Sequence, residues 1–77
     1  MNKTDKKAPT VGQTLALMAP YQQVEIYEHS ELTPAYSGKA INTPQNLWNR
    51  EMLLLVPYFL QSNHQNIIML FMEREEN

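Results

Sequence analysis

The stretch Glu51–Leu60 limits the folds open to this chain more than any other part of it. Met52 to Val56 are five consecutive apolar residues, and Pro57 follows at once. Such a run suits a strand buried on both faces or a piece of buried helix. Proline argues for the strand, because it lacks an N–H and clashes with the preceding turn, so a helix running on to Leu60 would break. As a strand, one face carries Met52, Leu54, Val56 and Tyr58 and the other Leu53, Leu55 and Phe59. Pro57 then marks a bulge, an edge or the strand's end. Asn66–Met72 repeats the pattern, with Ile67, Met69 and Phe71 on one face and Ile68, Leu70 and Met72 on the other. Between the two runs, Gln61-Ser62-Asn63-His64-Gln65 has the length and composition of a hairpin loop.

A hairpin with two apolar faces is hard to cover in a chain of 77 residues, which is one domain. One face can pack on the protein's own helix. The other needs a second cover, and small domains have little chain to spare for it. A large exposed apolar face usually marks an interaction site. The expectation is therefore a homo-oligomer formed through this sheet. A monomer in which two short helices cover both faces is the alternative.

The rest of the chain supplies the helices and a second hairpin. Residues 1–9 read as a flexible, lysine-rich tail, with Lys3, Lys6 and Lys7 around Asp5. Thr10 and Gln13 have capping-box spacing, and Val11, Thr14, Leu15 and Met18 share one helical face before Pro20 ends the helix. That predicts a helix of about two turns, too short to form without tertiary packing. Tyr21 to Glu28 alternates as a half-buried strand, with Val24 and Ile26 inward. Pro34 to Ile41 follows as a partner strand in which Gly38 suggests a bulge or the close approach of another backbone. Thr43-Pro44 predicts a helix start, with Thr43 as cap and Pro44 at the first position. Leu47 and Trp48 would anchor that turn to the sheet. Burial is the commoner fate of a tryptophan, and an exposed binding anchor is the alternative. The predicted class is α+β: short N-terminal helix, β-hairpin, short helix, β-hairpin, in a small curled antiparallel sheet. The domain spans 10–73, and 74–77 form a charged tail.

Composition removes most catalytic chemistries. There is no cysteine, hence no disulfide, thiolate metal site or thiol nucleophile. Gly12 and Gly38 are the only glycines, too few for a phosphate-cradling loop or a dinucleotide fingerprint. His29 and His64 fall in separate predicted loops and make no metal-ligand pair. Glu25, Glu28 and Glu31 form an acidic group whose simplest role is a solvated rim. Ser30, Ser37 and Ser62 have no nucleophile-elbow context. No enzyme activity, cofactor or metal is expected. No run approaches the roughly 20 apolar residues of a membrane span, and no signal-peptide core is seen. With the missing cysteines, this leads to a cytoplasmic expectation.

The net charge of −2 also weighs against nonspecific nucleic-acid binding, since between Ala8 and Met72 only Lys39 and Arg50 are basic. A nucleic-acid accessory role, with bases stacked on exposed tyrosines, is the secondary reading. The candidate interaction residues are Glu25, Tyr27, Tyr36, Lys39, Trp48, Arg50 and Tyr58.

Val24-Glu25-Ile26-Tyr27, Tyr36-Ser37-Gly38-Lys39-Ala40, Pro44 and the Leu47–Val56 stretch with Arg50-Glu51 resemble small proteins of Gram-positive bacteria, their phages and prophages. These look like a helix, a V-E-I-x-D/E strand, a Y-x-G-x-V/A strand, a proline-led turn and a closing hairpin. The resemblance covers roughly Val11 to Glu73. It implies a phage-associated cytoplasmic protein, brings no catalytic residues, and leaves the role open among regulators, host-factor inhibitors and anti-defence factors; a host or phage protein is the further partner expected.

Overall fold

Two hairpins lie side by side and share one open, four-stranded sheet. The computed structural model describes residues 8–73, so the lysine-rich segment before Ala8 and the charged tail 74–77 lie outside the described residues. The elements are helix α1 (Val11–Leu15) and strands β1 (Gln23–Glu28), β2 (Tyr36–Lys39), β3 (Met52–Leu60) and β4 (Gln65–Met72). Short 3₁₀ turns occupy Ala40–Asn42, Gln45–Leu47 and Gln61–Asn63. The strand order is β2-β1-β4-β3.

Both expected hairpins form, as the antiparallel pairs β1–β2 and β3–β4. The sheet as a whole is not antiparallel, however, because β1 and β4 pair in parallel from Gln23↔Ile67 to Glu28↔Met72. In the inner strands, Val24 and Ile26 of β1 face the same way as Leu70 and Met72 of β4, and all four are fully buried. Joining the hairpins this way places β2 and β3 at opposite edges, running in the same direction. The chain from Ala40 to Glu51 must therefore cross a face of the sheet, and it brings Ala40 and Leu47 into the core beside Val11 and Leu15.

Helix α1 begins as its sequence predicts. The Thr10 hydroxyl accepts from the Gln13 N–H at 3.1 Å, and the Gln13 side-chain oxygen accepts from the Thr10 N–H at 2.9 Å. The helix itself is only five residues long, shorter than the two turns expected. Backbone bonds hold it to the crossover: Val11 N–H donates to the Arg50 carbonyl at 2.8 Å and Gly12 N–H to the Trp48 carbonyl at 2.9 Å. Close approach is why glycine suits position 12. A Cβ there would stand 3.1 Å from the Trp48 Cβ and 3.2 Å from its carbonyl oxygen.

Several local expectations are corrected. The second strand is shorter than Pro34–Ile41, because Ala40–Asn42 turns into 3₁₀ geometry to begin the crossover. No bulge or foreign backbone lies at Gly38, where the register is continuous. Instead the Tyr36 ring folds over it, its hydroxyl donating to the Lys39 carbonyl at 2.8 Å. Thr43 does not cap a helix. Its side chain is buried, its hydroxyl finds no partner, and Pro44 precedes a 3₁₀ turn instead of opening an α-helix. The bulge in β3 lies between Met52 and Leu54, and of the three readings open for Pro57 the edge strand is the one found. The extra residue moves Met52, paired with Met72, to the face opposite Leu54, Val56 and Tyr58. Met52 thereby joins the core.

Candidate interaction surface

The side chains that point away from α1 are fixed by the register. Alternation puts Gln23, Glu25 and Tyr27 of β1 on that side. Their neighbours are Ile67, Met69 and Phe71 of β4, then Leu54, Val56 and Tyr58 of β3. None of these belongs to the core cluster, and neither α1 nor the crossover packs over them. A sheet face normally needs a second layer. Among the described residues it has none, although seven of the nine side chains are apolar or aromatic. Leu54 is 53% exposed and Tyr58 48%, whereas Ile67 is buried outside the core cluster.

This face is ordered by its own contacts. Tyr27 stacks on Phe71 with ring centroids 5.1 Å apart and planes 17° from parallel. The Tyr27 hydroxyl donates to the Glu25 carboxylate at 2.9 Å. That hydrogen bond, helped by burial and by the negative charge of Glu25, raises the Tyr27 pKa above the ordinary tyrosine value. The two rings are thus held against each other. From Met52 to Met72 there is no Asp, Glu, Lys or Arg, so nothing on β3 or β4 gives the face a charge.

The far half of the hairpin is also bare on its other side. Leu55 and Phe59 share the α1 side with Met52, beyond the reach of the helix, and are 40% and 47% exposed. Phe59 meets His64 edge-on, centroids 6.3 Å apart.

Three predicted interaction residues, Glu25, Tyr27 and Tyr58, come together on the open face, and the register puts Lys39 at its β2 edge beside Gln23. The other three do not share that face. Tyr36 packs against the core on the α1 side. Lys39 sits over the Tyr21 ring, 5.6 Å from its centre. Arg50 is structural. Its guanidinium donates to both Glu28 carboxylate oxygens, at 2.8 and 2.7 Å, and to the Glu73 carbonyl at 2.8 Å. It thereby ties the ends of β1 and β4 to the start of β3. The paired guanidinium lowers the Glu28 pKa, against the smaller opposing effect of burial.

Trp48 is not buried by the sheet, as its type suggested, but 41% exposed. Its indole N–H donates to the Thr43 carbonyl at 3.2 Å. The ring walls a shallow apolar groove of about 300 Å³ with Gly12, Leu15, Met18, Ala40 and Ile41. Leu54, Val56, Met69 and Phe71 are the surface residues that the site prediction left out. Their alternation was readable, but which face α1 would cover was not.

Among the described residues, no group of three or more His, Asp or Glu side chains could hold a metal ion, and no helix is long and apolar enough to cross a membrane. His29 and His64 remain in separate turns. Compared with family models, with curated proteins and with solved structures, the chain matches none.

Proposed function

We propose that this chain is a non-enzymatic interaction protein that self-associates and, so assembled, engages a protein partner. The observation that carries the reading is the sheet with helical cover on one side only, its other side apolar, aromatic and without a second layer. Exposed apolar surface of this kind costs free energy in water, at about 25 cal/mol for each Å², and recurs in soluble proteins where it is covered by another molecule. On its sequence resemblance to phage and prophage proteins of Gram-positive bacteria, we propose a partner from a phage or its host and a cytoplasmic setting.

The nucleic-acid reading has less behind it. Arg50 is engaged with Glu28 and the Glu73 carbonyl, and Lys39 lies on Tyr21. The cation that the register puts on the side faced by Tyr27 and Tyr58 is Lys39, at its β2 edge beside Gln23. The discriminating experiment is an affinity capture from host lysate, with and without nuclease, read by mass spectrometry. A protein partner that survives nuclease is the expected result. Partners that disappear with nuclease, together with salt-sensitive binding to DNA or RNA, would replace this reading with the nucleic-acid one.

A further inference from the structure

Resting on the self-association reading above, we propose that two copies pack back to back through the open sheet face of Tyr27, Leu54, Val56, Tyr58, Met69 and Phe71. They do not join through their β3 edges. The occupant of the open face is a second copy of this chain.

The β3 edge is the obvious rival, since an edge strand offers a row of unpaired N–H and C=O groups. Here that row is blocked at both its start and its middle. At the start, Met52 N–H already donates outward to the Pro9 carbonyl at 2.9 Å, and Thr10 bridges Glu51. In the middle stands Pro57, opposite Ile68. Proline has no N–H to give the ladder, so it must face the open side. The alternation that turns Pro57 outward also turns out Leu55 and Phe59. An added strand would find only those two N–H donors, with a pyrrolidine ring between them.

The open face has no such obstacle. It runs across three strands, β1, β4 and β3, and the one carboxylate on it, Glu25, already accepts a hydrogen bond from Tyr27. A two-fold contact brings the same patch against itself, so apolar surface meets apolar surface throughout. A face so poor in charge has little electrostatic means of selecting a foreign partner. Strands of six to nine residues spaced ~4.8 Å apart give a face on the order of 15–20 Å by 25 Å. Two such faces stacked ~10 Å apart, in the manner of a sandwich, would bury on the order of 1,000 Å² in total. That is near the lower limit for a specific interface, and it describes a reversible dimer.

The test uses the full chain. Sedimentation velocity compares wild type with Leu54→Lys, Tyr58→Lys and Phe59→Lys, each position being about half exposed in the protomer, and circular dichroism verifies folding. Leu54→Lys and Tyr58→Lys are expected to abolish the dimer, while Phe59→Lys, on the opposite side, retains it. Dissociation by Phe59→Lys alone would overturn the proposed face and leave self-association standing. A wild type that stays monomeric at high concentration would remove self-association itself. Isotope-filtered NMR on mixed labelled and unlabelled wild-type protomers needs no variant to fold. Intermolecular contacts to Tyr58 and Met69 are expected, and contacts to Leu55 and Phe59 instead would refute the assignment.

Discussion

Replacing Arg50 with Met keeps the aliphatic stem and removes the guanidinium that joins three strand ends. Among the described residues, two acceptors then lose their donors: the Glu28 carboxylate and the Glu73 carbonyl. A hydrogen bond to a charged group is worth about 1.5–3 kcal/mol and a neutral one about 1 kcal/mol. The Glu28 side chain is 39% exposed, so water takes up part of its loss, and its share falls to about 1 kcal/mol. The sum is about 2 kcal/mol. In a domain of this size each kcal/mol moves Tm by about 4–8 °C, giving a drop of roughly 8–16 °C at neutral pH.

The same pair gives a pH signature. Arg50 lowers the Glu28 pKa in the folded state. Its contribution is therefore complete above the unfolded carboxyl value and is lost as pH falls through the lower folded value. Wild type and Arg50→Met should thus differ most near neutrality, and the gap should narrow without closing as pH falls through the lowered Glu28 value, because the Glu73 carbonyl contact does not titrate. Thermal melts by circular dichroism, at matched protomer concentration and across that range, provide the assay. An unchanged Tm at neutral pH, or a gap that widens in acid, would refute the reasoning.

Two further substitutions probe local features. Thr10→Ala removes one half of the capping box and should cost about 1 kcal/mol in a thermal or urea melt. Thr43→Val keeps the β-branched shape while deleting a buried hydroxyl that lacks a partner; it should stabilise the fold by about 1 kcal/mol, and a lower Tm would show that the hydroxyl is satisfied.

What the sequence revealed was local. Thr10 and Gln13 lie three residues apart, and Val24 and Ile26 alternate within one strand, so short-range rules located the helix start and the buried face of β1. Long-range features stayed hidden. Arg50 finds its partners 22 and 23 residues away, and no spacing rule connects them. The parallel β1–β4 pairing depends on which edge the crossover reaches, which neither hairpin encodes by itself. The bulge at Leu53 falls inside an unbroken apolar run, where alternation has no polar residue to mark a slip. Trp48 was expected inside because of its size, yet a single hydrogen bond to Thr43 and the close approach of Gly12 hold it at the rim of a groove. On the open face, Tyr27 and Tyr58 were singled out for their aromatic character. Leu54, Val56, Met69 and Phe71 lie on apolar faces of which one was expected to lack cover, and which one it is shows only in the folded chain.

The claim on which the account depends is that this sheet face is covered by a second copy. Sedimentation equilibrium of the full wild-type chain, from low micromolar to near-millimolar protomer, tests it most directly. The account predicts a reversible rise from one protomer mass to two. A single protomer mass at every concentration would contradict it.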